Sequence, residues 1–594
     1  MADVASQRER DRQKRLGKLA ILLAIPASWL WWRFMTDQPL LPQISLPDDA
    51  MFWLPGIVIV LLLGAVLVLP MLGNGRSPHT IVPPEHIDIS FEDVVGLGKV
   101  TAEVRHTLQV LTDHERYRIQ MGGRPRRGML FEGPPGTGKT HMAKAMAKEA
   151  GVPFLFVSST AFQSMWYGAT ARKIRSFFKA LRKQARREGG AIGFIEEIDA
   201  IAMSRGGVSK ATPWGGFGRV TNKSMMNEGT GGVVNELLVQ MQSFDDPSGS
   251  EKVAEWFRVR VNRFLPPHRQ LKAKPIPYTN VLLIAATNRA SALDPALMRP
   301  GRFDRVLHFG LPGRTARREL VDFFLERKAH TPTLDEASHR EDIASATLGY
   351  SPAMLERLFD EALLLALRDG RGEIGPDDIR RARFETELGL PEVVDSPDHE
   401  IETIATHEAG HATVAYLVGK GRRLEVLSII KRKEALGFLA HRQSEERHTQ
   451  TRSEIEAMIQ ISLGGMVAEE LFFGESGSGP AGDLIAATNA AVEMVGSMGM
   501  GGSLVSFRAL DAGAFGGNLV AQVMADDRGR DAVERVLADQ KEHVIALLGA
   551  HRHLVEALRD ALLDRKELVD AEIIDVLVEA ESARMADSGA EYLR

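Results

Sequence analysis

Hydrophobic positions follow three different patterns along this 594-residue chain. Near the start they form two apolar stretches. The second, Met51 to Leu72, runs 22 residues without a charge, enough at about 1.5 Å per residue to cross a hydrocarbon core of about 30 Å. The first, Leu19 to Trp32, is interrupted by Arg33 and resumes at Phe34-Met35. Lys18 and Arg33 at its ends could snorkel, and Trp29, Trp31 and Trp32 suit a membrane interface. Further on, short apolar runs such as Ala191 to Ile195 and Val281 to Ala286 read as buried strands of an α/β sheet. The runs His141 to Ala150 and Ile401 to Val418 have helical rather than strand character.

Charge orients the first pattern. Arg8, Arg10, Arg12, Lys14, Arg15 and Lys18 precede the first stretch, whereas the loop Thr36 to Ala50 has three Asp and no Lys or Arg. That asymmetry implies two spans with both termini in the cytoplasm. A cleaved signal peptide is the rival reading, but the Trp-rich end lacks a small-residue cleavage site and a second span follows directly. Composition, at 44% hydrophobic and 25% charged, excludes a wholly disordered or collagen-like protein. A net charge of −5 supplies no global field for nucleic acid. With no cysteine there is no disulfide, no Cys-ligated zinc and no thiol nucleophile.

Chemistry begins at Gly133-Pro134-Pro135-Gly136-Thr137-Gly138-Lys139-Thr140, set between an apolar run and a helical one. In that context the glycines let backbone N–H groups approach phosphate, Lys139 reaches the β/γ-phosphates, and the Thr140 hydroxyl binds Mg²⁺. The strand ending in Glu196-Glu197 places carboxylates where α/β sheets bind ligands. Another strand ends at Thr287-Asn288, and Arg299, Arg302 and Arg305 follow in one short segment. With the P-loop, these arginines suggest charge stabilisation of a transferring phosphoryl group.

These motifs strongly resemble the AAA family of ring ATPases. The resemblance implies that Asn288 positions the attacking water and Glu197 activates it. It also implies that Arg302 and Arg305 reach a neighbouring subunit's nucleotide, so that activity needs an oligomer. Asp93-Val-Val-Gly96 matches the adenine-side segment and Gly349 to Arg368 the helical lid. One departure stands out: the family usually ends the metal strand in Asp-Glu, and here it is Glu196-Glu197. The extra methylene keeps the charge but moves the carboxylate by about 1.5 Å. Hydrolysis is expected to survive, because Mg²⁺ keeps several waters in such sites.

A second chemistry lies downstream. His407-Glu408-Ala-Gly-His411 puts two imidazoles on one helix face, able to share a tetrahedral metal, with Glu408 placed as general base. Glu469 or Glu470 on one side and Asp483 on the other are the possible third ligands, and spacing does not decide between them. Taken in order, the anchor, the AAA module and this helix resemble the FtsH family of membrane-bound ATP-dependent zinc proteases over essentially the whole chain. That resemblance implies Asp483 as the ligand, leaving Glu469 and Glu470 structural. It implies Zn²⁺ and ATP with Mg²⁺ as cofactors. Ala435-Leu-Gly-Phe438-Leu resembles the family's substrate-pairing edge strand, and Phe162 to Gly168 its pore loop, with Trp166, Tyr167 and Gly168 as the grip.

The expected organisation is multidomain. A basic tail occupies 1–18, membrane segments 19–35 and 51–72 within 19–72, and a linker 73–86. An α/β ATPase subdomain covers 87–315, a helical lid 316–390 and a mainly α-helical zinc metalloprotease domain 395–594. The function this implies is processive, ATP-dependent degradation of membrane and cytoplasmic polypeptides. The protein would be a homo-oligomeric, hexameric ring in the cell's inner membrane, with its catalytic domains cytoplasmic and no nucleic-acid partner. The alternatives are an ATP-driven unfoldase with a vestigial protease site, and a protease whose ATPase is weakened by Glu196. Two insertions, near 204–232 and 247–277, depart from the family, and the second alternates arginines with apolar residues as a strand would, from Trp256 to Arg263. The external loop is short for the family and leaves little room for an adaptor domain. Trp166→Ala is expected to spare cleavage of short peptides and binding of ATP while abolishing degradation of folded substrates. Parallel peptide and folded-protein assays read the two effects separately.

Overall fold

The computed structural model describes residues 23–36, 77–163, 169–202, 224–245, 249–266, 269–272, 278–392, 397–432, 436–443, 447, 449–510 and 518–591, with a few isolated positions before residue 64. The chain divides into two compact units, one of Met1–Ala329 with Asp335–Arg357 and the other of His330–Leu334 with Leu358–Arg594. The pore-grip residues Trp166, Tyr167 and Gly168 lie outside the described residues.

The first unit is built on β1 (Thr80–Val82), β2 (Gly128–Glu132), β3 (Phe154–Ser158), β4 (Ala191–Glu196), β5 (Val281–Thr287) and β6 (Arg305–His308). They form one sheet in the order β1-β3-β4-β5-β2-β6, parallel except for β1. β5 is buried at all seven positions and β4 at five of six, as expected of central strands covered on both faces. Along β4, Ile192 and Phe194 enter one apolar cluster while Ala191 and Ile195 enter the other. Flanking the sheet are α1 (Gly98–Thr112), α2 (Lys139–Ala150) and α3 (Ala169–Glu188). α3 buries Ile174, Phe177, Phe178 and Leu181, the i, i+3, i+4, i+7 stripe of an amphipathic helix. β2 sits between β5 and β6, yet the chain continues from it to β3, beyond β4. The loop after β2 therefore opens at the carboxyl edge near a reversal of winding, where such sheets bind ligands.

The segment read as a strand from Trp256 to Arg263 is instead helical: α4 spans Gly249–Asn262. Its N-terminal half, with Glu251, Lys252, Ala254 and Glu255, is rich in good helix formers. Glu255 and Arg258 pair at i,i+3, a spacing that a helix brings together and a strand does not.

In the second unit the elements that shape the site are α5 (Asp398–Val418), β7 (Arg422–Ser428), β8 (Phe438–Gln443), α6 (Arg452–Phe473), α7 (Ala481–Gly496), α8 (Arg552–Arg565) and β9 (Glu567–Val569). α6 starts from a capping box, with the Thr451 amide donating to Glu454 at 2.7 Å and the Glu454 amide donating back to the Thr451 hydroxyl at 3.3 Å. α5 is buried continuously from Ala405 to Ala415, so it has no solvent face over three turns. It crosses α6 at a contact of two glycines. A Cβ on Gly410 would lie 2.5 Å from both the Gly464 carbonyl oxygen and the Ala468 Cβ. The strands β8-β7-β9 form an antiparallel sheet in that order, leaving β8 at an edge.

Among the described residues, no helix is long and apolar enough to cross a membrane. The expected span 51–72 lies almost wholly outside them, and residues 23–35 form a helix on which Trp31, Trp32 and Phe34 are exposed. The helix crossing carries a stability prediction. Gly410→Val should lower the stability of the second unit by about 1–3 kcal/mol, because the crowded atoms include backbone that cannot step aside. Gly549→Ala, on a helix with open space around it, should be neutral or stabilising by up to about 1 kcal/mol. Differential scanning calorimetry of the two variants checks the pair.

Candidate functional site

In the first unit the loop after β2 wraps into the start of α2. Gly136 and Gly138 have φ of 75° and 89°, the left-handed region that glycine occupies without strain. Their turns aim backbone amides at a cavity of about 690 Å³. Its lining includes Gly136, Thr137, Gly138, Lys139 and Thr140, the carboxylates Glu196 and Glu197, and Asn288. Asp93, Val94 and Val95 also line it, with Phe323, Arg327 and Ala353. Lys139 Nζ donates to the carbonyls of Gly133 and Pro134, both at 2.7 Å, and to Asn288 Oδ1 at 3.1 Å. Burial pulls the Lys139 ammonium below its ordinary pKa, against the attraction of Glu196 and Asp199.

The Thr140 hydroxyl donates to Glu196 Oε1 at 2.9 Å. The longer Glu196 side chain thus reaches the hydroxyl that would share a metal with it. Glu197 has φ 52°, a left-handed backbone that is costly for a non-glycine residue and turns the chain at the end of β4. Its carbonyl accepts a short hydrogen bond from the Ser159 hydroxyl. Arg302 and Arg305 are not brought to this cavity. Arg302 donates to the Ala296 carbonyl at 2.5 Å, and Arg305 pairs with Glu103 at 2.5 Å.

In the second unit, α5 supplies His407, Glu408 and His411, and the first turn of α7 supplies Asp483. The two Nε2 atoms are 3.0 Å apart and lie 3.2 and 3.4 Å from Asp483 Oδ2. A tetrahedral zinc with ligand bonds of about 2.0–2.1 Å needs donor atoms about 3.3 Å apart, so this triangle fits the ion. The ring tautomers fit it too. His407 Nδ1 meets Glu469 Oε1 at 2.6 Å and His411 Nδ1 meets the Ile461 carbonyl at 2.6 Å. These two closest partners are acceptors, so each Nδ1 carries the hydrogen and each Nε2 offers its lone pair to the metal position; the Gly465 amide lies farther from His411 Nδ1, at 3.3 Å.

Electrostatics favour a cation at the same point. Burial depresses the His407 imidazole, but hydrogen bonds to Asp483 and Glu469 overcome it and raise the pKa to about 10. Burial opposes ionisation of Asp483 as well, yet its bonds to His407 and His411 hold it well below the ordinary carboxylate range. Glu408, fully enclosed, is pushed up to about 7 by burial, against the pull of the two histidines.

Two roles here are not given by sequence reasoning, which weighed Glu469 only as a possible ligand or a structural residue and did not mark His441. Glu469 is more than a structural residue, since it accepts from His407 and also from the Gly477 amide at 2.6 Å. Glu470, by contrast, pairs with Lys541 at 2.8 Å. His441 on β8 lines the same cleft, a space of about 800 Å³, with Gly437, Phe438 and Leu439. Burial, Arg422 and His411 push its pKa down to about 4, so it is neutral. Arg422 donates to its Nδ1 at 2.9 Å, which leaves the ring hydrogen on Nε2. A lone histidine on a short strand has no spacing signal that could have marked it.

A parallel sheet with a P-loop cavity, joined to a helical unit with a His-His-Asp metal cleft, defines a nucleotide-binding protein that also carries a metallopeptidase-type site. Two family models match accordingly. Residues 129–311 match the ATPase family associated with various cellular activities, and residues 395–577 match peptidase family M41. The ATP-dependent zinc metalloprotease FtsH 3 of Sphaerobacter thermophilus is 33% identical, covering 85% of this chain and 91% of that protein. FtsH of Aquifex aeolicus is 32% identical over 84% of this chain and 72% of its own length. The Drosophila melanogaster protease YME1L is 31% identical over 87% and 62%. The chain belongs to the FtsH family.

Glu469→Gln keeps the shape but removes the charge behind His407. It should weaken zinc binding by about 10–100-fold, the usual effect of losing such a partner. Competition against a chromophoric chelator measures it, with ATP hydrolysis unchanged as the control.

Proposed function

We propose that the chain is an ATP-dependent zinc metalloprotease that threads and degrades polypeptides as a membrane-anchored homo-oligomer. The observation that carries this reading is the His407, His411 and Asp483 triangle beside buried Glu408, on the same chain as a P-loop cavity. The names of the relatives support it, since each is an ATP-dependent zinc metalloprotease.

His407, His411 and Asp483 would hold the Zn²⁺, which supplies Lewis acidity toward water and the peptide carbonyl. Glu408 accepts a proton from the attacking water and returns it to the leaving amine. Before any metal charge is counted, burial holds its pKa above the ordinary carboxylate range, which favours uptake of that proton. The free edge of β8 can pair with an extended substrate, whose backbone would then run along the cleft wall past Phe438 and Leu439. The neutral His441 faces the same cleft and holds an N–H donor for a substrate carbonyl.

In the nucleotide cavity, Lys139 exchanges its loop carbonyls for phosphate oxygens, and Thr140 with Glu196 would hold Mg²⁺. Glu197 and Asn288 orient the attacking water. Arg302 and Arg305 act on a neighbouring subunit's nucleotide, which requires each to leave its present partner. Trp166, Tyr167 and Gly168 grip the substrate. The sequence supports a two-span anchor over 19–35 and 51–72 with both termini cytoplasmic, and the exposed rings of the helix 23–35 suit a lipid surround.

Casein degradation separates this reading from its rivals. Glu408→Gln should reduce proteolysis by about 10²-fold or more while leaving ATPase intact. Lys139→Ala should abolish both ATPase and casein degradation but spare short-peptide cleavage, and chelation should act like Glu408→Gln. Wild-type degradation without ATP would point to a protease uncoupled by Glu196. Glu408→Gln degrading like wild type would sink the protease assignment.

A further inference from the structure

The proposed chemistry leaves residues 247–277 unused. They carry seven Lys and Arg against two Glu, a local balance of +5 on a chain whose total is −5. Within them, α4 bonds through its polar side to its own return segment, in contacts that stay exposed, and Val259 on that side is 48% exposed. Arg258 Nη1 donates to the Leu271 carbonyl at 2.9 Å and pairs with Glu255. The Asn262 side chain donates to the same carbonyl at 3.0 Å and accepts from the Leu271 amide at 2.9 Å. At 100° per residue, Glu255, Arg258 and Asn262 share that face. Trp256, Phe257, Arg260 and Val261 share the opposite one, and Phe264 continues it.

That opposite face points to solvent. Trp256 is 59% exposed, Phe257 60% and Phe264 84%. The two rings pack edge to face at 5.4 Å, and the Arg260 guanidinium lies 5.9 Å from the Trp256 ring. This inverts the usual arrangement, in which a helix on a soluble protein hides its apolar stripe and shows its charges. The medium that satisfies it must accept aromatic rings and carry negative charge in one layer.

We propose that α4 is an interfacial helix that lays its Trp256, Phe257, Val261 and Phe264 face into the headgroup region of an anionic bilayer. Arg260 and Arg263 stay at the lipid phosphates. Aromatic rings beside arginines that reach up to phosphate are the pattern of helices that lie in a membrane interface. A short tether would keep the first unit near a bilayer, which favours that medium over a soluble anionic partner. β1 starts at Thr80, eight residues after the second apolar stretch ends at Leu72, and eight residues span at most about 29 Å. This point of reach rests on the anchored reading above; the exposed face and its charge do not. Docking there would fix the first unit against the membrane by a second, salt-sensitive contact.

The absence of cysteine makes the test clean. A single Phe257→Cys in the full-length protein is labelled with a nitrobenzoxadiazole fluorophore and reconstituted into vesicles. These are phosphatidylcholine alone or phosphatidylcholine with phosphatidylglycerol, each with and without a nitroxide-bearing lipid. Ser338→Cys, exposed on the same unit, is the aqueous control, and ATPase activity checks the fold. In anionic vesicles, lipid quenching at position 257 should exceed that at 338 by at least about threefold. It should fall to the control level in neutral vesicles, in high salt, and in Arg260→Gln/Arg263→Gln. Quenching at 257 no greater than at 338 overturns the proposal. Equal quenching in neutral and anionic vesicles overturns it too. So does protection from aqueous iodide without lipid quenching, which would mean that protein or another copy of the chain covers the face. Alkaline carbonate extraction reads the anchor separately: release of the protein refutes the anchored reading, whereas retention with a wet label refutes only the docking of α4.

Discussion

The metal-type cleft turns on one carboxylate outside the His407, His411 and Asp483 triangle. Glu469 receives the Nδ1 hydrogen of His407 and the amide of Gly477 at the same time, both at 2.6 Å. The first bond selects the tautomer that turns Nε2 toward the metal position. The second ties down the glycine-rich segment that leads into α7, and so sets where Asp483 stands. His407 and Asp483, 76 residues apart in sequence, are thereby fixed relative to each other through a third residue. The glycines of α5 and α6 make this possible. Gly410 and Gly464 let the helix backbones meet, and a Cβ on Gly465 would strike the His407 ring at 2.5 Å. The absent side chains allow α6 to come close enough for Glu469 to reach.

A comparable constraint governs the nucleotide cavity, but there it is held by strain and by temporary partners. Glu197 is kept in a left-handed conformation at the strand end, with its carbonyl held by the Ser159 hydroxyl, so its backbone is set before any ligand arrives. Lys139, Asn288, Thr140 and Glu196 already bond to one another or to loop carbonyls. A phosphate and its metal would replace these contacts, so the polar groups are never left bare. Arg302 and Arg305 follow the same logic, each resting on a contact within its own unit. The Glu196 methylene, a departure from the usual Asp, does not break the cluster, because the longer arm still meets the Thr140 hydroxyl.

How much of this was legible beforehand depended on distance along the chain. The P-loop and the His-Glu-x-x-His helix are local, and local spacing on a helix or turn implies geometry directly. The strands β4 and β5 were visible because burial on both faces makes a continuous apolar run. Asp483 was different: proximity of residues so far apart is a property of helix packing, and only family resemblance chose it over Glu469 and Glu470. The same limit hid the true place of Glu469, which became a hydrogen-bond partner of the ligand it might have replaced. His441 had neither spacing nor family pattern to mark it. The alternation from Trp256 to Arg263 misled for a physical reason. Period-two patterning indicates a strand only where another strand waits to pair with it, and here the neighbouring polar residues bond along a helix instead.

That helix also shows what averages conceal. A chain of net charge −5 and ordinary composition is, by bulk measure, indifferent to anionic surfaces. Binding is decided over a Debye length of about 8 Å, however, not over the whole molecule. Beside the exposed Trp256, Phe257 and Phe264, Arg260 and Arg263 form a local positive group. Hydrogen bonds to Leu271 hold the polar face down, so turning the rings inward would sacrifice them and bury Arg258 and Asn262 unpaired. The helix is therefore committed to its outward apolar face, and what remains for it is to find a medium that suits both its rings and its charges.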